Sequence, residues 1–307
     1  MENKKVTILL ATYNGEKYLR QQLDSIYGQT YKNISVLVRD DGSKDGTCDI
    51  LKEYSEKYGL QYVKGNNIGA FANFLELIRL VPDSDYYAYS DQDDVWVKDK
   101  IQIAVSQLED KTDESIPSMF IHSNYAVNNA LEVIDQPHTE GFSEANNLAL
   151  GIVRNICQGS ACVLNRRLMN EVKKIPEGTI CQHDWWTYLV CLSVSGRVIA
   201  DRRPLILYRQ HGNNVLGAHV GVMFRLKRRF KMIFEKSDHS RQKLSEIILK
   251  TYGKKIPESN RKTLKEVVDY RKSFGKWMKF LFDPKFYRHA SLEYKLSFFG
   301  AIITRTV

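Results

Sequence analysis

The stretch Tyr86-Tyr87-Ala88-Tyr89-Ser90-Asp91-Gln92-Asp93-Asp94-Val95-Trp96 places three carboxylates within four residues, directly after an apolar run. Neighbouring carboxylates repel one another, so crowding them is unfavourable unless a cation sits among them. A hard divalent ion held by one or two carboxylates, its shell completed by phosphate oxygens, is the usual solution. The chemistry implied is Mg²⁺ or Mn²⁺ gripping a diphosphate-bearing substrate. The plainer alternative is a solvated acidic turn capping a helix that starts near Val97, because Asp is favoured at turns and helix starts.

The elements around this stretch decide between the two. Residues 6–11 (VTILLA) form a continuous apolar run, which fits a strand buried on both faces. Leu19, Leu23 and Ile26 recur at helical spacing over residues 16–27. A second buried strand, 34–38, ends in the turn-forming Arg39-Asp40-Asp41-Gly42-Ser43 cluster. A helix follows over 49–57, then a short strand at 60–63, then a helix carrying Phe71, Phe74, Leu75 and Ile78. Strand and helix alternate three times, which predicts an α/β fold: a mostly parallel twisted sheet flanked by helices. Ligands of such sheets bind beyond the carboxyl ends of the strands. Tyr13, Asp40, Asp41, Asp91 and Asp93 all fall at such ends, so one shared site is expected rather than several unrelated acidic turns.

Further along, a helix is expected over 98–108 and strands over 119–125 and 132–134. Residues 135–150 are polar and read as a mobile loop or lid. Gln158 to Leu164 is a small-residue strand that would admit a ligand closely. Gln182-His183-Asp184-Trp185-Trp186 opens a helix, and strands at 197–201 and 205–208 lead to the polar loop that begins at Arg209.

The 307 residues can bury a substantial core. The opening residues predict no signal peptide, and no run of about 18 uncharged apolar residues predicts a membrane span. Five cysteines without C-x-x-C spacing suit reduced thiols in the cytoplasm better than a disulfide frame or a zinc site. The net charge of +9 is unevenly spread: residues 1–201 carry 20 Lys and Arg against 28 Asp and Glu, residues 202–307 carry 25 against 8. A catalytic part at 1–220 is thus joined to a basic, aromatic-rich helical region at 221–307. There Val222, Phe224, Phe230 and Phe234, and later Phe274, Trp277, Phe280 and Phe282, are interleaved with Lys and Arg. That composition suits interfacial helices on an anionic membrane, with plain packing onto the main domain as the alternative.

No G-x-G-x-x-G follows the first strand and no G-x-x-x-x-G-K-[ST] is present, so a nucleoside diphosphate would be held by metal and side chains. Asp40 could accept a pyrimidine imide N–H and Tyr13 could stack on the base. Asp91 could take a ribose hydroxyl or a metal-bound water, and Asp93 could ligate the metal opposite a departing diphosphate. An attacking hydroxyl needs a base. Asp184, beside Trp185 and Trp186 as an apolar sugar-stacking wall, is the candidate, with His183 as its rival and an N-cap role as the structural alternative.

The ordered series V-T-I-L-L-A-T-Y-N-G, V-R-D-D-G-S-K-D-G-T, S-D-Q-D-D-V-W and H-D-W-W resembles the family 2 glycosyltransferases of GT-A fold, over roughly residues 5–215. The resemblance implies a nucleotide-sugar donor, a divalent metal, and inversion at the anomeric carbon without a covalent intermediate. Carried over by position, Thr12, Tyr13, Asp40 and Asp91 would hold the nucleotide. Asp93 and His211 would hold the metal, and Asp184 would be the general base. Asp94, Trp185, Trp186 and Arg209 would lie toward the diphosphate or acceptor. The chain lacks the Q-x-x-R-W motif of the processive synthases, which implies a single-addition or short-repeat transferase.

D-Q-D-D-V-W, H-D-W-W and Y-R-Q-H-G-N-N together further resemble bacterial rhamnosyltransferases of cell-wall and capsular polysaccharide. These imply dTDP-β-L-rhamnose as donor and a polyprenyl-diphosphate-linked glycan as acceptor, at the cytoplasmic face of the cell membrane. A UDP-hexose donor stays open, as does a homo-oligomer. A nucleic-acid-binding protein would explain the basic tail but leave the Asp clusters idle. A metal-dependent nucleotidyltransferase would leave Asp184 without a hydroxyl to activate.

Overall fold

The computed structural model describes residues 4–137, 139–179, 181–210, 240–288, 295, 298–300 and 302. Strand β1 (Val6–Thr12) is buried along its whole length and lies parallel between β2 (Ile34–Asp40) and β4 (Tyr86–Ser90). Beyond β2, β3 (Gln61–Lys64) continues the parallel pairing. Register sets Thr12 opposite Asp40 and Leu10 opposite Ser90, so the three strand ends open on one edge.

Side chains of β1 alternate between two cores, as the twofold repeat of a strand requires. Val6, Ile8 and Leu10 face helices α1 (Leu19–Tyr27), α2 (Thr47–Tyr58) and α4 (Lys100–Lys111). Leu9 and Ala11 face α3 (Ala70–Leu80), α5 (Leu148–Val153), α6 (Arg166–Val172) and α7 (His183–Ser193). A strand covered on both faces has no polar side to show, which is why its sequence reads as an uninterrupted apolar run.

Past Ser90 the pairing changes. β8 (Cys162–Asn165) runs antiparallel to both β4 and β6 (Ser118–Val127), while β9 (Arg197–Arg209) runs parallel to β6 and antiparallel to β5 (Val95–Trp96). β7 (Val133–Asp135) pairs with β6. The parallel sheet expected from the alternating pattern is thus the first half of a mixed sheet. Two expected strands, 197–201 and 205–208, prove to be one, with its register against β6 shifting near His122 and Ser123.

The polar segment 135–150 is anchored rather than a loose lid. Asn146 exchanges two hydrogen bonds with the backbone of Val198, at 2.8 and 2.9 Å, and Tyr188 donates to the Ala145 carbonyl at 2.8 Å. Leu148 and Ala149 are buried at the start of α5. Polar composition misled here because amides can satisfy a neighbouring strand as well as water can.

Helices α8 (Ser240–Tyr252) and α9 (Glu258–Asp269) pack onto the main domain through Leu244, Ile248, Tyr252, Leu264 and Val267, which join the core on the α7 side of the sheet. Tyr252 donates to the Glu171 carbonyl at 2.8 Å, and Asn260 donates to that of Leu192 at 3.0 Å. α10 (Phe274–Phe282) buries Phe280 but leaves Phe274 and Phe282 more than 60% exposed. The amphipathic reading of Val222 to Phe234 lies outside the described residues. Among the described residues no helix is long and apolar enough to cross a membrane.

Candidate active site

The loop after β1 and the acidic turn after β4 are held together by Gln92. Its Oε1 accepts from the Thr12 hydroxyl at 2.6 Å and from the Tyr13 N–H at 2.8 Å, while its Nε2 donates to the Tyr13 carbonyl at 3.2 Å. Gly15 leaves room for this contact, since a Cβ there would stand 2.5 Å from Gln92 Oε1. Tyr13 is left with its ring exposed at the rim, free to stack on a planar group.

Asp40 and Asp41, adjacent at the end of β2, face different tasks. Asp41 pairs with the buried Arg39 guanidinium at 2.7 Å and accepts from the N–H groups of Ile68 and Gly69, so it shapes the entry to α3. Asp40 is enclosed beside the Ser43 turn, accepting from the Ser43 N–H at 3.0 Å and from its hydroxyl.

Asp91, Asp93 and Asp94 sit where β4 ends. Burial, then the charges of Asp93 and Asp184, push the Asp91 carboxyl up to about 7. Asp94 is fully buried and raised well above the carboxylate range, first by burial and then by Asp93 and Asp91. Its Oδ1 accepts from the Arg209 N–H at 3.2 Å, whereas Oδ2 has no protein partner. Crowded carboxylates that raise one another, with an orphaned buried oxygen among them, suit a cation-binding edge. Two carboxylates completed by phosphate oxygens are enough for Mg²⁺. Among the described residues no ready-made set of three ligating side chains is found. His211 lies outside them.

Asp184 opens α7 and is half-buried. Its Oδ1 accepts from the Trp185 N–H at 2.6 Å and its Oδ2 from the Gly159 N–H at 3.1 Å. Burial raises its pKa to about 6, against the pull of these donors. The charge of Asp184 acts on the Asp91 carboxyl, so the helix-start acid lies within electrostatic reach of the strand-end acids. The hydroxyl of Tyr89 meets that of Thr187 at 2.9 Å, which fixes β4 against α7 and so sets this spacing.

Three sequence expectations are corrected. His183 does not rival Asp184: its ring stacks on Phe74 at 3.8 Å, neither nitrogen has a partner, and burial holds it neutral down to about pH 3. Trp186 is not part of a sugar wall. It is a core residue, fully enclosed and donating to the Val172 carbonyl at 3.1 Å, because α7 turns it by 100° from Trp185. Trp185 stays partly exposed, donating to the Gly151 carbonyl at 2.8 Å. Arg209 does not reach out to a diphosphate. Its guanidinium is buried, bonding the Asp93 carbonyl at 2.9 Å, the Asn129 carbonyl at 2.6 Å and Gln21 at 2.6 Å. It braces the acidic turn from behind.

Sequence reasoning passed over Gln92 and Lys100. Gln92 sits inside the D-Q-D-D string and was legible only as a spacer. Lys100 was hidden by its charge, which reads as solvent-facing, yet it is fully buried behind the acidic turn.

Comparison with known proteins now adds to this geometry. The family model described as "Glycosyl transferase family 2" matches residues 7–173. The chain is 32% identical over 235 residues to "dTDP-rhamnosyl transferase RfbG" of Shigella flexneri, covering 71% of this chain and 77% of that protein. It is 26% identical over 236 residues to an Escherichia coli protein, "UDP-Glc:alpha-D-GlcNAc-diphosphoundecaprenol beta-1,3-glucosyltransferase WfaP", covering 76% and 88%. Among solved structures, the S. aureus TarS fragment 1–349 in complex with UDP-GlcNAc superposes with a TM-score of 0.59 at 16% identity, over 99% of this chain and 82% of that one.

Proposed function

This chain belongs to glycosyl transferase family 2, and from that premise we propose that it moves L-rhamnose from dTDP-β-L-rhamnose to a hydroxyl of a lipid-linked glycan, inverting the anomeric centre. The observation that carries the reading is Asp184. A carboxylate tuned to about 6, held by the Trp185 and Gly159 N–H groups, lies within electrostatic reach of the strand-end acids, as a base for a sugar hydroxyl there must. In the step itself the acceptor oxygen attacks the anomeric carbon, its proton passes to Asp184, and the nucleoside diphosphate leaves.

Asp93 would hold Mg²⁺ or Mn²⁺, with Asp91 taking a ribose hydroxyl or a metal-bound water. The ion would neutralise the leaving diphosphate, the orphaned oxygen of Asp94 supporting its shell through water. Tyr13 would stack on the nucleotide base at the rim, beside the turn that the enclosed Asp40 holds through Ser43, with Thr12 and Gln92 keeping that loop in place. Trp185 would flank the acceptor side. Residues 1–220 would form the catalytic unit.

A lipid-linked acceptor is the substrate named for the Escherichia coli relative. A surface suited to an acidic membrane supports the same acceptor class here. On α10, Phe274, Met278 and Phe282 recur every four residues along one side, beside Lys276 and Lys279, which also pair with Asp269 and Glu266. A cation near an anionic leaflet contributes about 1 kcal/mol of attraction, so a few of them hold a protein there reversibly. This would place the enzyme peripherally at the inner membrane face.

A UDP-hexose donor is the second reading, supported by the UDP-glucose named for the same relative. Thermal shift with dTDP-rhamnose, UDP-glucose, UDP-galactose and UDP-GlcNAc, with and without Mg²⁺ or Mn²⁺, separates the two. A bound ligand raises the melting temperature by mass action. The largest metal-dependent rise is expected with dTDP-rhamnose, and a larger rise with a UDP-hexose would install the second reading.

A further inference from the structure

Lys100, the first residue of α4, is fully buried and has lost the water that an ammonium normally keeps. Its Nζ donates to the Ser160 carbonyl at 2.6 Å and lies 3.2 Å from the centre of the Trp96 ring. Burial pushes its pKa well below the usual lysine range, and the charges of Asp94 and Asp91 pull the other way. Ser160 is the middle residue of a short turn, Gly159–Ala161, that precedes β8. The other end of that turn is claimed too, because the Gly159 N–H donates to Asp184 Oδ2 at 3.1 Å.

The turn has little room to relax. A Cβ on Gly159 would collide with His183 Nε2, Asn124 donates to Gln158 at 2.5 Å, and the Cys162 thiol reaches the Gln158 carbonyl at 3.0 Å. One rigid turn therefore links the ammonium behind the acidic cluster to the carboxylate read as the base. Burying an ammonium is costly unless its donors are used, so a fold that keeps Lys100 here is using it.

We propose that Lys100 is a positioning residue: by clamping the Ser160 carbonyl it fixes the Gly159 N–H that orients Asp184 toward the acceptor. This rests on Asp184 being the general base. It differs from a role in which Lys100 only balances the charge of Asp94 and Asp91, because that role would act on donor and metal binding.

The test compares Lys100→Met, Asp184→Asn and the double variant in steady-state transfer by the full chain across pH. Lys100→Met is expected to lower kcat about 10- to 100-fold with donor KM within about twofold. It should also move the acid limb of kcat up by about half a pH unit, since a carboxylate that loses an N–H donor protonates more readily. On the Asp184→Asn background Lys100→Met should cost nothing more, because residues that act as one unit are not additive. An effect that multiplies in full on that background, or that falls on donor KM with the limb unmoved, overturns the positioning role. Full activity of Asp184→Asn alone removes the base reading, and the positioning role with it. If circular dichroism shows Lys100→Met unfolded, Gly159→Ala strains the same turn. The same upward move of the limb is expected there, and an unmoved limb overturns the proposal.

Discussion

The acidic turn after β4 and the helical pair α9–α10 both concentrate charge, and they treat it in opposite ways. Asp91, Asp93 and Asp94 are like charges gathered at a strand end, with Asp94 fully buried and Asp91 raised to about 7. On α9–α10 opposite charges alternate at the surface. Asp269 pairs with Lys272 at 2.6 Å and with Lys276 at 2.9 Å, and Glu266 pairs with Lys279 at 3.4 Å. Exposed pairs of that kind contribute little to stability, because water already solvates both partners. Buried like charges work against stability. A fold that keeps them gains something other than stability from them, and chemistry is the candidate.

The sharpest break in this comparison is Asp93→Ala. Removing a ligand from the acidic turn should cost on the order of 10³-fold in metal-dependent transfer, measured by release of nucleoside diphosphate. Retained activity would reduce the turn to a surface feature like α9–α10.

Asp184→Asn should lower kcat by about 10²- to 10³-fold while nucleotide binding persists. In wild type, kcat should fall as pH drops below about 6, where the base takes up its proton. Stability carries the opposite sign. A carboxyl raised in the folded state favours folding below its unfolded pKa, and this is lost as pH rises through about 6. Asp184→Asn should therefore be more stable than wild type by about 1 kcal/mol at pH 8, with no difference near pH 3. The value is set low because one side of Asp184 faces water. Denaturant melts at the two pH values read it.

Arg209→Ala tests the bracing behind the turn. A buried guanidinium with several partners gone should cost about 3 kcal/mol of stability by urea titration, and transfer should fall with it. At the small end, Lys276→Ala should change stability by less than about 1 kcal/mol. Phe274→Ala with Phe282→Ala should also leave stability nearly unchanged, yet weaken sedimentation with vesicles of anionic lipid. Undiminished vesicle binding would return α10 to the role of plain packing.

Much of this is legible in the sequence. The apolar runs at 6–11 and 34–38 and the helical spacing of Leu19, Leu23 and Ile26 place the first half of the sheet and its cover. These patterns are periodic and local, so a burial requirement writes them directly into residue order. The D-Q-D-D and H-D-W-W strings likewise announce chemistry through residue type. What stayed hidden was the direction of individual side chains. Trp185 and Trp186 are identical neighbours, yet only Trp186 enters the core. Arg209 and Lys100 are cations that any hydropathy pattern assigns to solvent, and both are enclosed.

Residue order alone therefore determined the first strands and their covering helices, and that several acids would gather at one strand edge. Only the folded arrangement decided which acid meets which partner, from Gln92 closing on Thr12 across 80 residues to Arg209 reaching Gln21 across 188. The physical reason is range. Periodic burial is imposed on each short segment separately, whereas a hydrogen bond between distant segments depends on where the whole packed chain leaves room for it.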